Sequence, residues 1–211
     1  MILSTRRLYG ILDLGYVTAA DAPRILAQML AGGVDLVQLR AKGRPLDEVA
    51  ALARVLQPLA TAAGIPFLLN DHPHLAAELG LDGVHVGQDD LSVAETRRLL
   101  GPGRIVGKST HSLAQAVAAA AEQPDYLGFG PLFATPTKPD YQPIGTEDIR
   151  RVHALVALPI FCIGGIKREN LDAVLDAGAC RVVIVSGILQ AADIAGYCRA
   201  MKARLGGLDS F

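Results

Sequence analysis

"PIFCIGGIKRENLDAVLDAGACRVVIVSGI", residues 159–188, decides the fold. It opens with an apolar, β-rich run, Pro159–Ile166, broken by a glycine pair. A helical stretch follows, "RENLDAVLDAGA", with Gly178 near its end. A second apolar run, Arg181–Ile188, again breaks at a glycine. Strand, glycine turn, helix, strand is the pattern of parallel strands, which need a crossover between them. Moving outward toward the N-terminus, the same alternation recurs. Further strands are predicted at "LYGILD" (8–13), "DLVQLRA" (35–41), "PFLLN" (66–70), "GVHVG" (83–87), "RIVGKST" (104–110) and "DYLGFGPL" (125–132).

The intervening segments have helical spacing. Val49, Leu52, Ala53, Leu56, Leu59 and Ala60 share one face of a helix, with Gly64 where a C-terminal cap belongs. Ser112 is placed to cap "LAQAVAAAAEQ". A last helix runs through "AADIAGYCRAMKARLGG". The total is eight β-then-α units, the number that closes a (β/α)8 TIM barrel, and 211 residues is the short end of that fold. An open doubly wound sheet would give the same alternation. Three features favour the barrel: the units run without a topological break, no GxGxxG follows the first strand, and polar residues gather at the C-terminal ends of the strands. No linker or composition shift divides residues 1–211, so a single domain is expected.

The composition narrows the function classes. Apolar residues make up 51% and the net charge is −1, which disfavours a broad nucleic-acid surface. Aromatic residues are few and tryptophan is absent, so base-stacking platforms are not expected. Cys162, Cys180 and Cys198 are scattered and form no zinc pattern. They read as small buried apolar groups in a reducing compartment. No signal-peptide core or membrane-length apolar run is present, so a soluble, cytoplasmic protein is expected.

In a barrel, chemistry sits at the C-terminal ends of the strands. Strand 2 ends "VQLRAK", where Gln38, Arg40 and Lys42 alternate and project to one side. Two cations and an amide there suit a phosphate, although the same residues could be a solvated strand end. Strand 3 ends in Asn70 and Asp71, and strand 4 leads to Asp89 and Asp90. Asp71 and Asp90 could each cap a helix, or together hold a hard cation such as Mg²⁺ alongside substrate phosphates. His85 lies within strand 4 and reads equally as a core histidine. Strand 5 places Ser109 at the mouth. The glycine turns of strands 7 and 8 allow backbone N–H groups to approach an anion. Between them, "GFGPLFATPTKPDYQPIG" (128–145) is long for a connection, and Thr135, Thr137 and Lys138 lie on it. Two anion sites on one face suit either two phosphorylated molecules or one carrying phosphate at both ends.

"QLRAK", "ND", "DGVHVGQDDL", "GKSTHS", "GPLFATPTKPD", "IGGI" and "VSGI", in that order across about residues 8–190, resemble the motifs of the thiamine phosphate synthase family. The resemblance implies a transferase. Hydroxymethylpyrimidine diphosphate would lose pyrophosphate, and the nitrogen of thiazole phosphate would attack the exposed methylene. It implies that Gln38, Leu39, Arg40, Ala41, Lys42, Asn70, Ser109 and Lys138 bind the pyrimidine diphosphate, with Lys138, Arg40 and Ser109 catalytic. It implies that Thr135, Pro136, Thr137, Gly165, Val185 and Ser186 bind the thiazole phosphate, and that Asp71 and Asp90 bind Mg²⁺. The implied partners are these small molecules, not nucleic acid or membrane. His72, Lys108 and Cys180 depart from the usual pattern without replacing an assigned residue. A related thiazole tautomerase would carry a histidine in the loop after strand 6, where this chain reads "GPLF". A non-catalytic binding barrel would be expected to lack Asp71, Asp90 or Lys138, and all three are present.

Overall fold

The computed structural model describes residues 3–135 and 142–206. Pro136, Thr137 and Lys138 therefore lie outside the described residues. Eight strands form a closed parallel barrel in chain order: β1 (Leu8–Asp13), β2 (Leu36–Arg40), β3 (Phe67–Asn70), β4 (Gly83–Val86), β5 (Ile105–Thr110), β6 (Tyr126–Phe129), β7 (Ile160–Cys162) and β8 (Val182–Ile184). Helices alternate with them: α1 (Ala22–Ala31), α2 (Leu46–Ala62), α3 (Pro73–Glu78), α4 (Val93–Leu100), α5 (Leu113–Ala121), α6 (Ile149–Leu155) and α7 (Leu171–Asp176). After β8 come the short α8 (Ser186–Leu189) and then α9 (Ile194–Gly206). The closed ring settles the choice between a (β/α)8 barrel and an open sheet.

Period-two alternation sorts each strand between two cores. Leu8, Leu12, Val37, Leu39, Val84, Val106 and Leu127 pack outward against the helices. Tyr9, Ile11, Leu36, Leu68, Ile105, Tyr126, Phe161 and Val183 fill the lumen. Because both faces are covered, the strands are apolar almost throughout. Lys108 is a charged exception on the outer face of β5, and its buried ammonium lies 2.8 Å from Glu122 Oε1 at the end of α5. The lysine thus belongs to the shell around the barrel and not to its mouth.

Local signals set the helix ends. Ser92 and Glu95 form a reciprocal capping box at the start of α4. Ser112 accepts a hydrogen bond from the Gln115 N–H at the start of α5. Gly64, with φ +68°, turns the chain out of α2. The expected strands 6, 7 and 8 extend farther than those observed. Beyond Phe129 and Cys162 the backbone bonds into the loops, with Leu132 N donating to Ile163 O at 2.8 Å and Phe133 N to Gly164 O at 3.1 Å. Beyond Ile184 the chain turns into α8, an element of four residues that the sequence pattern leaves merged with a turn.

Three rings plug the lumen. Tyr9, Tyr126 and Phe161 meet edge to face in all three pairs, with centroids 5.4–5.8 Å apart. Gly107 makes the plug possible. It lies between His85 and Tyr126 in the strand register, and a Cβ there would sit 2.1 Å from Tyr126 Cζ. The missing side chain lets the Tyr126 ring cross β5 toward His85. Gly107→Ala is expected to cost about 1–3 kcal/mol through overpacking, read as a lower denaturant midpoint in equilibrium unfolding.

Candidate active site

The next layer above the aromatic plug is polar. Gln38, Asn70, His85 and Ser109 rise from β2 to β5 and line an open cavity. Gly128, Ile163 and Val185 continue the ring, and Arg40 stands above Gln38. Thr135, Gly165 and Ser186 line the side formed by the turns after β6 to β8. Gln38, Arg40, Asn70 and Ser109, expected on the pyrimidine side, therefore share one space with Thr135, Gly165, Val185 and Ser186, expected on the thiazole side. Leu39 and Ala41 differ from their neighbours. Their side chains are buried in the outer core, leaving only their backbone for a ligand. Lys42 lies beyond the end of β2 and is exposed.

Arg40 is held in place by a residue that the sequence reading passed over. Asp13 ends β1 directly across from Arg40 in the register, and the two form a 2.8 Å ion pair. Asp13 is 2% exposed and also accepts from the Gly15 N–H at 2.9 Å. A carboxylate this buried needs such partners. It orients the guanidinium while leaving further N–H donors for an anion. A strand-final acid opposite a strand-final arginine is the signal that could have found it.

Asp71 and Asp90 come together beside this mouth. Neither caps a helix: His72 takes that position for α3, and Ser92 does so for α4. Asp71 adopts φ +64°, in the left-handed region that is unusual for a residue with a side chain. Burial, followed by the charge and contact of Asp90, holds its carboxyl above the usual carboxylate range. The positive charges of Lys42 and His72 pull the other way. Two carboxylates forced together are short of a cation. Among the described residues no group of three or more His, Cys, Asp or Glu gathers to cage a metal. A pair of hard oxygen donors without a full cage fits Mg²⁺, which takes one or two carboxylates and draws its remaining ligands from water and phosphate.

His85 proves to be a lining residue. Nδ1 lies 2.9 Å from the Tyr126 hydroxyl and Nε2 lies 2.9 Å from Ser109 Oγ. Cys162 is sealed in the outer core, where burial pushes its thiol up to about 12. It takes no part in the site.

The chain matches the thiamine monophosphate synthase family over residues 8–188. It is 41% identical over 200 residues to the thiamine-phosphate synthase of Shouchella clausii, covering 94% of this chain and 96% of that one. It is 47% identical over 180 residues to that of Thermus thermophilus, covering 85% and 86%. Its barrel superposes on thiamine phosphate pyrophosphorylase from Pyrococcus furiosus with a TM-score of 0.87, at 27% identity and 97% and 98% coverage. A 3-hexulose-6-phosphate synthase from Salmonella typhimurium shares the fold alone, with a TM-score of 0.69 at 19% identity over 94% and 98% of the two chains.

Two outcomes are expected from this geometry. Asp13→Ala strands the Arg40 charge and should lower stability by about 3 kcal/mol in denaturant titration. Asp90→Asn keeps an oxygen for the Gly87 N–H, which now donates to Asp90 Oδ2 at 2.6 Å, but removes the like charge. The raised Asp71 value means that stability is lost as pH climbs from the ordinary carboxylate range through the folded-state value. Asp90→Asn should bring that value down and shrink the loss, seen as a smaller drop in unfolding midpoint between acidic and neutral pH.

Proposed function

The chain belongs to the thiamine monophosphate synthase family and is a transferase that makes thiamine phosphate; from that premise we propose the substrates, their seats and the course of the reaction. Hydroxymethylpyrimidine diphosphate and thiazole phosphate are joined, and thiamine phosphate and pyrophosphate are released. The supporting observation is the single cavity that joins Gln38, Arg40, Asn70 and Ser109 at one side to Thr135, Gly165 and Ser186 at the other.

The aminopyrimidine ring lies over the polar layer between Gln38 and Ser109. Its diphosphate points to Arg40, Lys42 and Lys138. The thiazole phosphate takes the glycine turn at Gly165, the start of α8 at Val185 and Ser186, and the loop residues Thr135, Pro136 and Thr137. The methylene C–O bond breaks, and its electron pair leaves with the pyrophosphate. The positive charge left on the methylene spreads into the aminopyrimidine. The thiazole nitrogen then donates its lone pair to form the new C–N bond.

No protein nucleophile or base is required. The chain's cations stabilise the departing charge, and the cavity walls align the two molecules and exclude water. Mg²⁺, held by Asp71 and Asp90, supplies further neutralisation of the diphosphate when bound. A cytoplasmic setting fits the free Cys162, Cys180 and Cys198 thiols. Among the described residues no helix is long and apolar enough to cross a membrane.

Pyrophosphate release from the two substrates together tests the proposal. Release should need both substrates and Mg²⁺, and should stop on chelation. No release from the complete mixture would overturn the reaction, while full release under chelation would overturn the metal's part in it.

A further inference from the structure

Between Gln38 and Ser109 runs a continuous chain of side-chain hydrogen bonds through the floor of the barrel. Gln38 Nε2 lies 2.5 Å from the Tyr9 hydroxyl, which lies 3.0 Å from the Tyr126 hydroxyl. The Tyr126 hydroxyl lies 2.9 Å from His85 Nδ1, and His85 Nε2 lies 2.9 Å from Ser109 Oγ. Five residues from β1, β2, β4, β5 and β6 are linked from one side of the lumen to the other. Both phenols are buried, and neither lines the cavity.

The chain has a direction. An amide Nε2 only donates, so the Tyr9 oxygen accepts from Gln38. Burial raises the pKa of both phenols, so each keeps its single proton. Tyr9 spends that proton on Tyr126. Tyr126, having accepted, spends its own on His85 Nδ1. The neutral imidazole then carries its hydrogen on Nε2 and donates it to Ser109 Oγ. Ser109 is left with its own hydroxyl hydrogen for the cavity. Reversing any one bond would leave two hydrogens facing each other, or a buried hydroxyl hydrogen without an acceptor.

We infer that His85 is a positioning residue, held as the Nε2–H tautomer by the Gln38–Tyr9–Tyr126 chain, and that it fixes the Ser109 hydroxyl as a hydrogen-bond donor to an acceptor nitrogen of the aminopyrimidine. The kinetic part rests on the proposed seat of that ring between Gln38 and Ser109. Tyr9 and Tyr126 touch no ligand and act only through Gln38 and His85. The rings also stack, with His85 and Tyr126 centroids 5.5 Å apart and planes 27° apart, which holds the imidazole in the plane the chain needs.

Two measurements test this. The first is side-chain ¹⁵N NMR of the ligand-free protein, with the His85 resonances assigned by their loss in His85→Gln. A proton on Nε2 alone is expected; a proton on Nδ1 overturns the inference. This measurement uses no substrate, so it decides the tautomer even if the proposed reaction fails in the unsubstituted protein.

The second measurement is steady-state kinetics of Tyr126→Phe, which keeps the ring and removes the hydroxyl. KM for the pyrimidine diphosphate should rise about five- to tenfold, the effect of roughly one hydrogen bond, with KM for thiazole phosphate within about twofold. In a Ser109→Ala background the same substitution should add less than about twofold, because the donor it orients is already gone. Equal changes in both KM values, no change in either, or full additivity would each overturn the inference. If Tyr126→Phe fails to fold, the tautomer measurement stands by itself and still decides the inference.

Discussion

Two phenol hydroxyls sealed inside a barrel need partners, and that need organises the centre of this protein. Left unpaired, each would cost about 1–3 kcal/mol. Tyr9 and Tyr126 meet it partly through each other and partly through Gln38 and His85 in the layer above. The apolar plug and the polar mouth are therefore one construction. The rings supply packing below, and their oxygens hold the cavity floor in place above. Gly107 is part of the same construction, since only a residue without a side chain lets Tyr126 lie across β5.

The charged rim depends on the same barrel closure. Asp13 steadies Arg40 only because β1 and β2 are neighbours in a register that sets the two side by side. Asp71 and Asp90 stand nineteen positions apart in sequence, yet the charge of Asp90 adds to the cost of ionising Asp71. Opposed charges at one edge and like charges at the other give the mouth a polarity suited to an anion carrying a cation. Lys108, buried on the outer side of β5 with Glu122, shows the contrast. The same residue type one position away from Ser109 is structural because alternation turns it to the opposite face.

Much of the lining of this cavity was legible in the chain. Gln38, Arg40, Asn70 and Ser109 stand at strand ends, where a barrel puts its chemistry, and all four line the cavity. The glycine turn after β7 pointed to the other side, where Gly165 lines the cavity. Asp13 was passed over because a single acid at a strand end reveals nothing until its cross-strand partner is known. His85 was ambiguous for a similar reason. Its role depends on Tyr126, forty-one residues away, reaching over a glycine.

The sequence by itself determined the eightfold alternation, the capping of α5 by Ser112, and the residue types available at each strand end. These follow from local periodicity and turn chemistry, which act over a few residues. The tertiary structure decided that the sheet closes, that Asp13 meets Arg40 and Asp71 meets Asp90, and that a directed chain runs from Gln38 to Ser109. Those depend on strand register and on the fit of rings inside the lumen, where partners distant in sequence are brought within hydrogen-bonding distance.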